Sequence, residues 1–597
     1  MTRVPPLTPW PLRVLAGRCA REWARDRALL GLPSRSFFRA DPALDLSCEI
    51  GGARAANPAG IAAGPHTQLA GNIVRGWLAG ARSFELKTVQ ALDAIEIPRP
   101  CIEVDGLGYN VEWSQELSLD ESLREYVTAA MLLEILGGWP ELRAELGDPG
   151  PHVLELSVGY DLAGVASPRM RDFIATLCDA GAVLDGLRRE LPPPLDVWRE
   201  HPFRRRLVGG ATLSTFHGCP PSEVASIVRH LMEVHDLDVT IKLNPTLLGE
   251  RRVEAILRDL GYEDIALEPA AFAEDLALDA ALDLIRGLDA LARARGRRFG
   301  IKLTNTLVVR GGRGRLPGRR VYLSGPPLHA LAVALLDELA GRLPGLLRLG
   351  PADEGTVPVA FSAGVGRGNF AVVAGIGLAP VTVCTDLLHP GGYGRLGGML
   401  RSLQRQLRAA GLATLNEWVA LRHAAARAAG HRDAAAAHAA SLTSPAGAAP
   451  YRRENVQTGR RARDARLALW DCSACNLCES VCPNGAMLSL PSPAESAEGF
   501  AAKHQLVCLA ELCNACGNCE TFCPEEGAPF AVKPRLFLDR ARFAADAGPA
   551  FHVGPSPGTT EPPFVVTAAA AVAGEAGRLA ALLNGPQGLP LRAEDLT

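Results

Sequence analysis

With 597 residues, 48% of them hydrophobic, and 61 Gly and 45 Pro, the chain has material for a large core and more than one domain, which excludes a disordered or fibrous whole. Its 62 basic and 65 acidic residues leave a formal charge of -3, a balance with no field for collecting nucleic-acid phosphates. Five of the basic residues are lysines, Lys87, Lys242, Lys302, Lys503 and Lys533, so positions that carry lysine rather than arginine stand out.

Residues 1–45 read as an N-terminal helical extension. Met1 to Gly31 is rich in Pro and Arg and lacks the apolar stretch of about 7–15 residues that a secretory signal carries, so the expected location is the cytoplasm. From 46 to 403, short apolar runs alternate with helical stretches, the pattern of a parallel α/β structure. The candidate strands are NPAGIAAG (57–64), SFELKTVQ (83–90), HVLELSVG (152–159), LVGGATLS (207–214), VTIKLNPT (239–246), FGIKLTNT (299–306), VPVAFSAG (357–364) and PVTVCTDL (380–387). Eight such strands close a TIM (β/α)8 barrel. Segments 222–234 and 328–343 carry apolar residues at helical spacing and belong to its outer ring, while 112–151 and 251–298 are set aside as insertions. The apolar run Phe370 to Leu388 is long enough to span a bilayer, but Pro380 interrupts it and Cys-Thr-Asp lies near its end. It reads as a buried helix followed by a buried strand, with no membrane span.

Polar residues gather at the C-terminal ends of these strands: Lys87, Thr88, Asn244, Asn305, Thr306 and Thr385. In a barrel that end is the catalytic face. The fifth and sixth strands, IKLNPTLL and IKLTNTLV, each bury a lysine in an apolar run. An ammonium there calls for a bound anion, an electron-rich ring or a structural salt bridge.

Residues 404–467 turn rich in Ala and Arg and read as a helix, a Pro/Gly break and a polar linker. Nine of the fifteen cysteines then fall between Cys472 and Cys523, inside a small domain over 468–540. Cys472-x2-Cys475-x2-Cys478-x3-Cys482-Pro483 recurs as Cys513-x2-Cys516-x2-Cys519-x3-Cys523-Pro524. This is the run of a bacterial dicluster ferredoxin, in which three thiolates of one run hold a [4Fe-4S] cluster and the fourth ligates the other. It pairs Cys472, Cys475 and Cys478 with Cys523, and Cys513, Cys516 and Cys519 with Cys482. Zinc is the competing ion, and two complete copies of the spacing favour the clusters. Cys508 stands outside the pattern as a buried or spare thiol. The Pro/Gly-rich residues 541–597 read as a tail without chemistry.

Together NPAGIAAGP, ELKTVQ, YNVEW (109–113), FHGCPP (216–221), TIKLNP, LTNT, YLSGPPLHALA (322–332), FSAGVGRGNF and VTVCT resemble the FMN-binding barrel of dihydroorotate and dihydropyrimidine dehydrogenases. The whole chain is similar to the barrel and ferredoxin parts of a family of bacterial selenate reductase subunits. The resemblance implies that Ala62, Ala63 and Gly64 contact the flavin ring, that Lys87, Thr88 and Lys242 serve its pyrimidine edge, and that Lys302 is a further cofactor-binding residue. It implies a phosphate site at Ser324, Gly325, Gly364, Gly366 and Thr385. Cys219 matches the catalytic cysteine, with His217 beside it, and Asn110, Glu112, Asn305 and Thr306 match the side chains that grip substrate. Phe216 stands where the family has asparagine, which shifts the expected substrate from a pyrimidine to another unsaturated cyclic amide or urea.

The expected protein is thus an FMN-dependent oxidoreductase that exchanges hydride and proton at a C–C bond. Two [4Fe-4S] clusters would link it to an NAD(P)H-oxidising flavoprotein subunit or a ferredoxin. The rival readings are an electron-transfer subunit of a larger reductase, a glutamate synthase-like FMN module, and a degenerate scaffold.

Overall fold

Runs of apolar residues bounded by Gly, Pro and polar turns form the parallel strands of a closed barrel. The computed structural model describes residues 7–89, 91–92, 95–214, 221–311, 314–350, 355–456, 463–493, 499–546, 548–556 and 563–596. The barrel strands are β1 Ala59–Ile61, β2 Ser83–Glu85, β3 Val153–Val158, β4 Val208–Ser214, β5 Asp238–Leu243, β6 Phe299–Leu303, β7 Val357–Phe361 and β8 Val381–Val383. They pair in sequence, β8 pairs with β1 and β6 with β7, so the sheet closes on itself. All eight lie within the expected segments or one residue outside them.

The outer ring corrects one expectation. Leu119–Gly138 and Leu278–Ala294 lie in the stretches set aside as insertions, yet they are the ring helices after β2 and β5. Leu119–Gly138 is wedged between helices Ala70–Leu78 and Pro168–Cys178, so it buries residues on more than one face and carries no clear apolar stripe. What the barrel does add is an antiparallel sheet of Ile102–Asp105, Leu107–Asn110, Arg320–Ser324 and Leu307–Arg310. Residues from three of its strands line the cavity at the barrel mouth. The run 370–388 forms helix Phe370–Gly375 and strand β8, and among the described residues no helix is long and apolar enough to cross a membrane.

The barrel lumen is polar. Register places Glu85 beside Glu155, Ser214 beside Lys242 and Lys242 beside Lys302, where barrels usually stack Val, Ile and Leu. Lys302 Nζ donates to Glu85 Oε2 at 2.5 Å and Lys242 Nζ to Oε1 at 3.3 Å. Burial alone would raise Glu85, but the two ammonium groups outweigh it and hold the carboxyl at about 2. Burial pushes Glu155 up to about 7, against the pull of Lys302. The folded chain therefore keeps a proton on Glu155 that the unfolded chain releases above about pH 4.3. That contribution is complete below the unfolded value and is lost as pH rises through 7. Glu155→Gln should thus gain stability relative to the parent between about pH 5 and about pH 8, read as the difference in urea midpoints. A difference that does not change with pH would contradict a protonated carboxyl.

Beyond the barrel, helices Leu415–Ala428 and Ala434–Ser441 fold back onto Phe370–Gly375 and Pro326–Arg342. The cysteine-rich region is built on a five-stranded sheet of Met487–Pro491, His504–Leu509, Arg535–Phe537, Ala550–Pro555 and Phe564–Ala568. Residues 541–597, expected as a tail, supply its last two strands and the helix Ala576–Asn584. The first of these strands mixes Ala, Phe and Val with His, Gly and Pro, and the second buries only Phe564, so their apolar pattern is weak in the sequence.

Candidate active site

The C-terminal ends of the barrel strands and the antiparallel sheet enclose a cavity of about 580 Å³. That is the size range of cofactor and small-molecule sites. Ala62, Ala63 and Gly64 from the β1 turn line it, and Ala63 N–H donates to Glu85 Oε2 at 3.1 Å, so the lumen ion pair fixes that turn. Gly64 fits because a Cβ there would stand 2.8 Å from Cys384 Sγ.

Lys87 and Lys242 reach the cavity from β2 and β5. Lys87 donates to the Trp113 carbonyl and lies 5.0 Å from the Trp113 ring centre. Burial lowers Lys87 to about 8, with Cys384 and Glu116 pulling the other way. Burial raises the Cys384 thiol to about 11 against the same lysines. Thr88 lines the cavity with its hydroxyl 2.8 Å from Ser157 Oγ. Lys302, expected at the cofactor, instead lies deeper in the lumen on Glu85 and is not part of the lining.

In the same lining Ser324 Oγ lies 2.8 Å from Thr385 Oγ1, together with Gly325, Gly364 and Gly366. Gly364 has φ +51°, and a Cβ on it would meet the Gly325 carbonyl at 2.4 Å, so the two turns close on one another. Asn369 secures that loop: its Oδ1 accepts from Gly366 N–H at 2.8 Å, and its Nδ2 donates to Gly364 O at 2.9 Å and Tyr451 OH at 3.1 Å. Tyr451 stacks on His329 with ring centres 4.8 Å apart, and Pro450, Tyr451, Asn455 and Val456 cover this side of the cavity. Arg395 binds Asp386 with two bonds of 2.8 and 2.7 Å in the same wall. Tyr451, Asn369 and the Arg395–Asp386 pair escaped the sequence reading, since no local spacing joins residues so far apart in the chain.

Asn110, Asn305 and Thr306 line the cavity. Asn305 Nδ2 donates to Asn244 Oδ1 at 2.6 Å, and Asn244 in turn donates to Asp275 at 2.6 Å. Thr304 also lines the cavity, 2% exposed, and its Oγ1 has no partner within the described residues. Glu112 is exposed, accepts from Tyr322 OH at 3.4 Å and stays out of the lining. Cys219 and His217 lie outside the described residues, in the stretch after β4, whose last residue Ser214 lines the cavity.

The eight motif cysteines sort into two adjoining sets. Cys478 and Cys523 are electrostatic neighbours of Cys472 and Cys475, and these four line a small cavity together with Lys533. Cys516 and Cys519 are neighbours of Cys482 and Cys513, and Cys519 also of Cys478. Among the described residues no group of three or more such side chains closes on a single metal-ion position. The Cys482 set lies against the barrel: the Cys516 carbonyl accepts from Cys101 N–H at 3.1 Å and from Ile102 N–H at 2.9 Å, and Ile102 lines the mouth cavity. Asn518 donates to the Leu388 carbonyl at 2.9 Å, and His389 lies edge-on to Phe522 at 5.9 Å.

With this architecture the chain is a TIM-barrel protein: residues 30–434 match the family model described as "Oxidoreductase YgfK, N-terminal TIM-barrel domain". It belongs to that family. YgfK of Escherichia coli (strain K12), described as an oxidoreductase, is 36% identical over 418 residues, 67% of this chain and 39% of its own length. YgfK of E. coli O157:H7 gives the same figures. The chain therefore spans well under half the length of the curated relatives it matches. Two solved structures of DHODH from Eimeria tenella, one in complex with ferulenol and one ligand-free, align at 15% and 16% identity. They cover 65% and 68% of this chain and 92% and 99% of theirs, with a TM-score of 0.41 each.

Proposed function

We propose that this oxidoreductase binds FMN in the barrel mouth and two [4Fe-4S] clusters in the cysteine-rich region. It would exchange hydride and proton at a C–C bond of a cyclic amide or urea, and pass electrons to or from a ferredoxin or an NAD(P)H-oxidising flavoprotein subunit. The observation that carries this is the single hydrogen bond between Ile102, a wall of the mouth cavity, and the carbonyl of Cys516. Two redox sites would stand on either side of one peptide.

The residues present suit both groups. The cavity offers a ring-sized space over small residues, with Lys87, Lys242, the Ser324 and Thr385 hydroxyls and the Thr304 hydroxyl, unpartnered among the described residues, in its lining. FMN bound there would supply hydride chemistry between substrate and the cluster electrons. Lys87 and Lys242 would hold positive charge where the ring gains negative charge on reduction. Ser324 and Thr385 would donate to the phosphate, and the segment around Tyr451 would exclude water. Asn110, Asn305 and Thr306 would orient the amide groups of the substrate, and Cys219 would hold or deliver the proton at the carbon opposite the hydride. The small cavity lined by Cys472, Cys475, Cys478 and Cys523 is consistent with a cluster position.

Thr385→Val should weaken FMN binding about tenfold or more, the loss of one hydrogen bond to a charged group, measured by flavin fluorescence on the apoprotein. The function is tested on anaerobically purified protein by flavin and iron analysis, then photoreduction and reoxidation by pyrimidines, oxidised purines and hydantoin-type rings. Reoxidation by one ring compound, lost in Cys219→Ala, is the expected result. Flavin and iron with no ring compound accepting electrons would replace this reading with that of an electron-relay subunit.

A further inference from the structure

Arg75 projects from the barrel helix Ala70–Leu78 and is 6% exposed. It donates to the carbonyl oxygens of Cys482 at 3.4 Å and of Pro483, and lies 4.4 Å from the Tyr393 ring centre. Tyr393 OH donates to the same Pro483 carbonyl at 2.9 Å. The guanidinium also packs on Gly485, where a Cβ would stand 2.9 Å from Nη1, so the turn after Cys482 is shaped around this cation. Among the described residues its polar partners are carbonyls rather than carboxylates. The nearby buried carboxyls are otherwise engaged: Glu125 accepts from Ala70 N–H at 2.6 Å and Glu479 from Ser489 N–H at 3.4 Å. Burial pushes Glu125 up to about 7, so it is no committed counter-ion.

A buried guanidinium without an anion is costly, and the group beside Arg75 that would be anionic with a cluster bound is the Cys482 set. That set also receives Ala486 N–H on Cys482 Sγ at 3.3 Å and Ala515 N–H on Cys513 Sγ at 3.4 Å, with further amide donors from Met487 and Asn518. The outer set differs. Its cavity also holds the buried cation Lys533, which donates to the Ala468 and Leu469 carbonyls at 2.8 and 3.4 Å, but two carboxyls, those of Glu479 and Glu525, adjoin Cys478 and Cys523, one N–H, that of Glu525, reaches Cys523, and Cys475 is exposed. Cluster potentials follow net charge, hydrogen bonds to sulfur and exposure.

We propose that Arg75 is a positioning residue of the barrel-side cluster: its charge and the surrounding amide donors hold that cluster's midpoint potential above that of the outer cluster, so that electrons collect next to the barrel. This rests on the two-cluster reading above.

The test is a potentiometric titration of the full, anaerobically purified chain followed by EPR, with iron content measured first. The parent should titrate in two one-electron steps. In Arg75→Met the upper step should move down until the oxidised-to-reduced ratio at fixed potential rises about tenfold, about 59 mV for one electron, while the lower step stays in place. Arg75→Lys, which keeps the charge, should restore most of the upper position. Movement of the lower step alone, movement of neither step, or equal behaviour of Met and Lys variants would overturn the proposal while leaving the clusters standing. Absence of iron would instead remove the cluster reading, and this inference with it.

Discussion

Glu85→Gln is expected to lower stability by about 3–5 kcal/mol at neutral pH, the loss seen when one partner of a buried ion pair is removed. Glu85 is fully buried and accepts from Lys302 at 2.5 Å and Lys242 at 3.3 Å, so its neutral replacement leaves two lumen ammonium groups facing an amide. The deficit should narrow in both directions of pH. Burial lowers Lys302, so the unfolded state binds the extra proton and stability in the variant rises with pH towards the unfolded lysine value of about 10.4. In acid the parent loses its advantage as pH falls from about 4.3, the unfolded value, through the folded value of about 2. Urea unfolding at three pH values reads all of this. Glu85→Leu combined with Lys302→Met should be milder than Glu85→Gln alone, because it removes charge from both sides. A neutral-pH deficit under about 1 kcal/mol would mean that the lysines have another anion.

Paired cysteine replacements should separate the two cluster sites by iron count. Cys472→Ala with Cys523→Ala should leave about four of about eight iron atoms per chain, because both thiols serve one cluster. Cys472→Ala with Cys482→Ala should leave almost none, although it also removes two ligands. Iron analysis and visible absorbance on anaerobic protein decide the matter. If the first pair empties both sites and the second pair only one, the cross-over of the fourth ligand is wrong.

The barrel was legible because each strand is a short apolar run with turn residues on both sides, and parallel strands covered on both faces keep that signal. The cysteine sets were legible for a related reason, since three ligands of each lie within one local run. The antiparallel sheet over the mouth escaped notice because strands such as IEVD and LGYN are four residues long and mix polar with apolar positions. Lys302 shows the limit within a recognised motif. The repeat IKL placed it on β6 and facing inward, but which of two inward lysines reaches the cavity depends on how deep Glu85 sits on a strand far away in the chain. Arg75 carried no signal at all, because its meaning comes from a turn some four hundred residues later.

The first helix makes a demand on the order of synthesis. Helix Leu12–Asp26 and the residues before it meet the cysteine-rich region: Trp10 Nε1 donates to Glu511 Oε2 at 2.8 Å, Thr8 N–H to Glu511 O at 2.8 Å, and the Asp595 carboxyl lies where a Cβ on Gly17 would be, 2.4 Å away. At about 5–20 residues per second, a ribosome needs roughly 25–100 s to reach Glu511 after Trp10 has emerged. Through that interval the helix has no docking partner for part of its apolar side. A nascent chain stalled before the cysteine runs is therefore a natural client for chaperones.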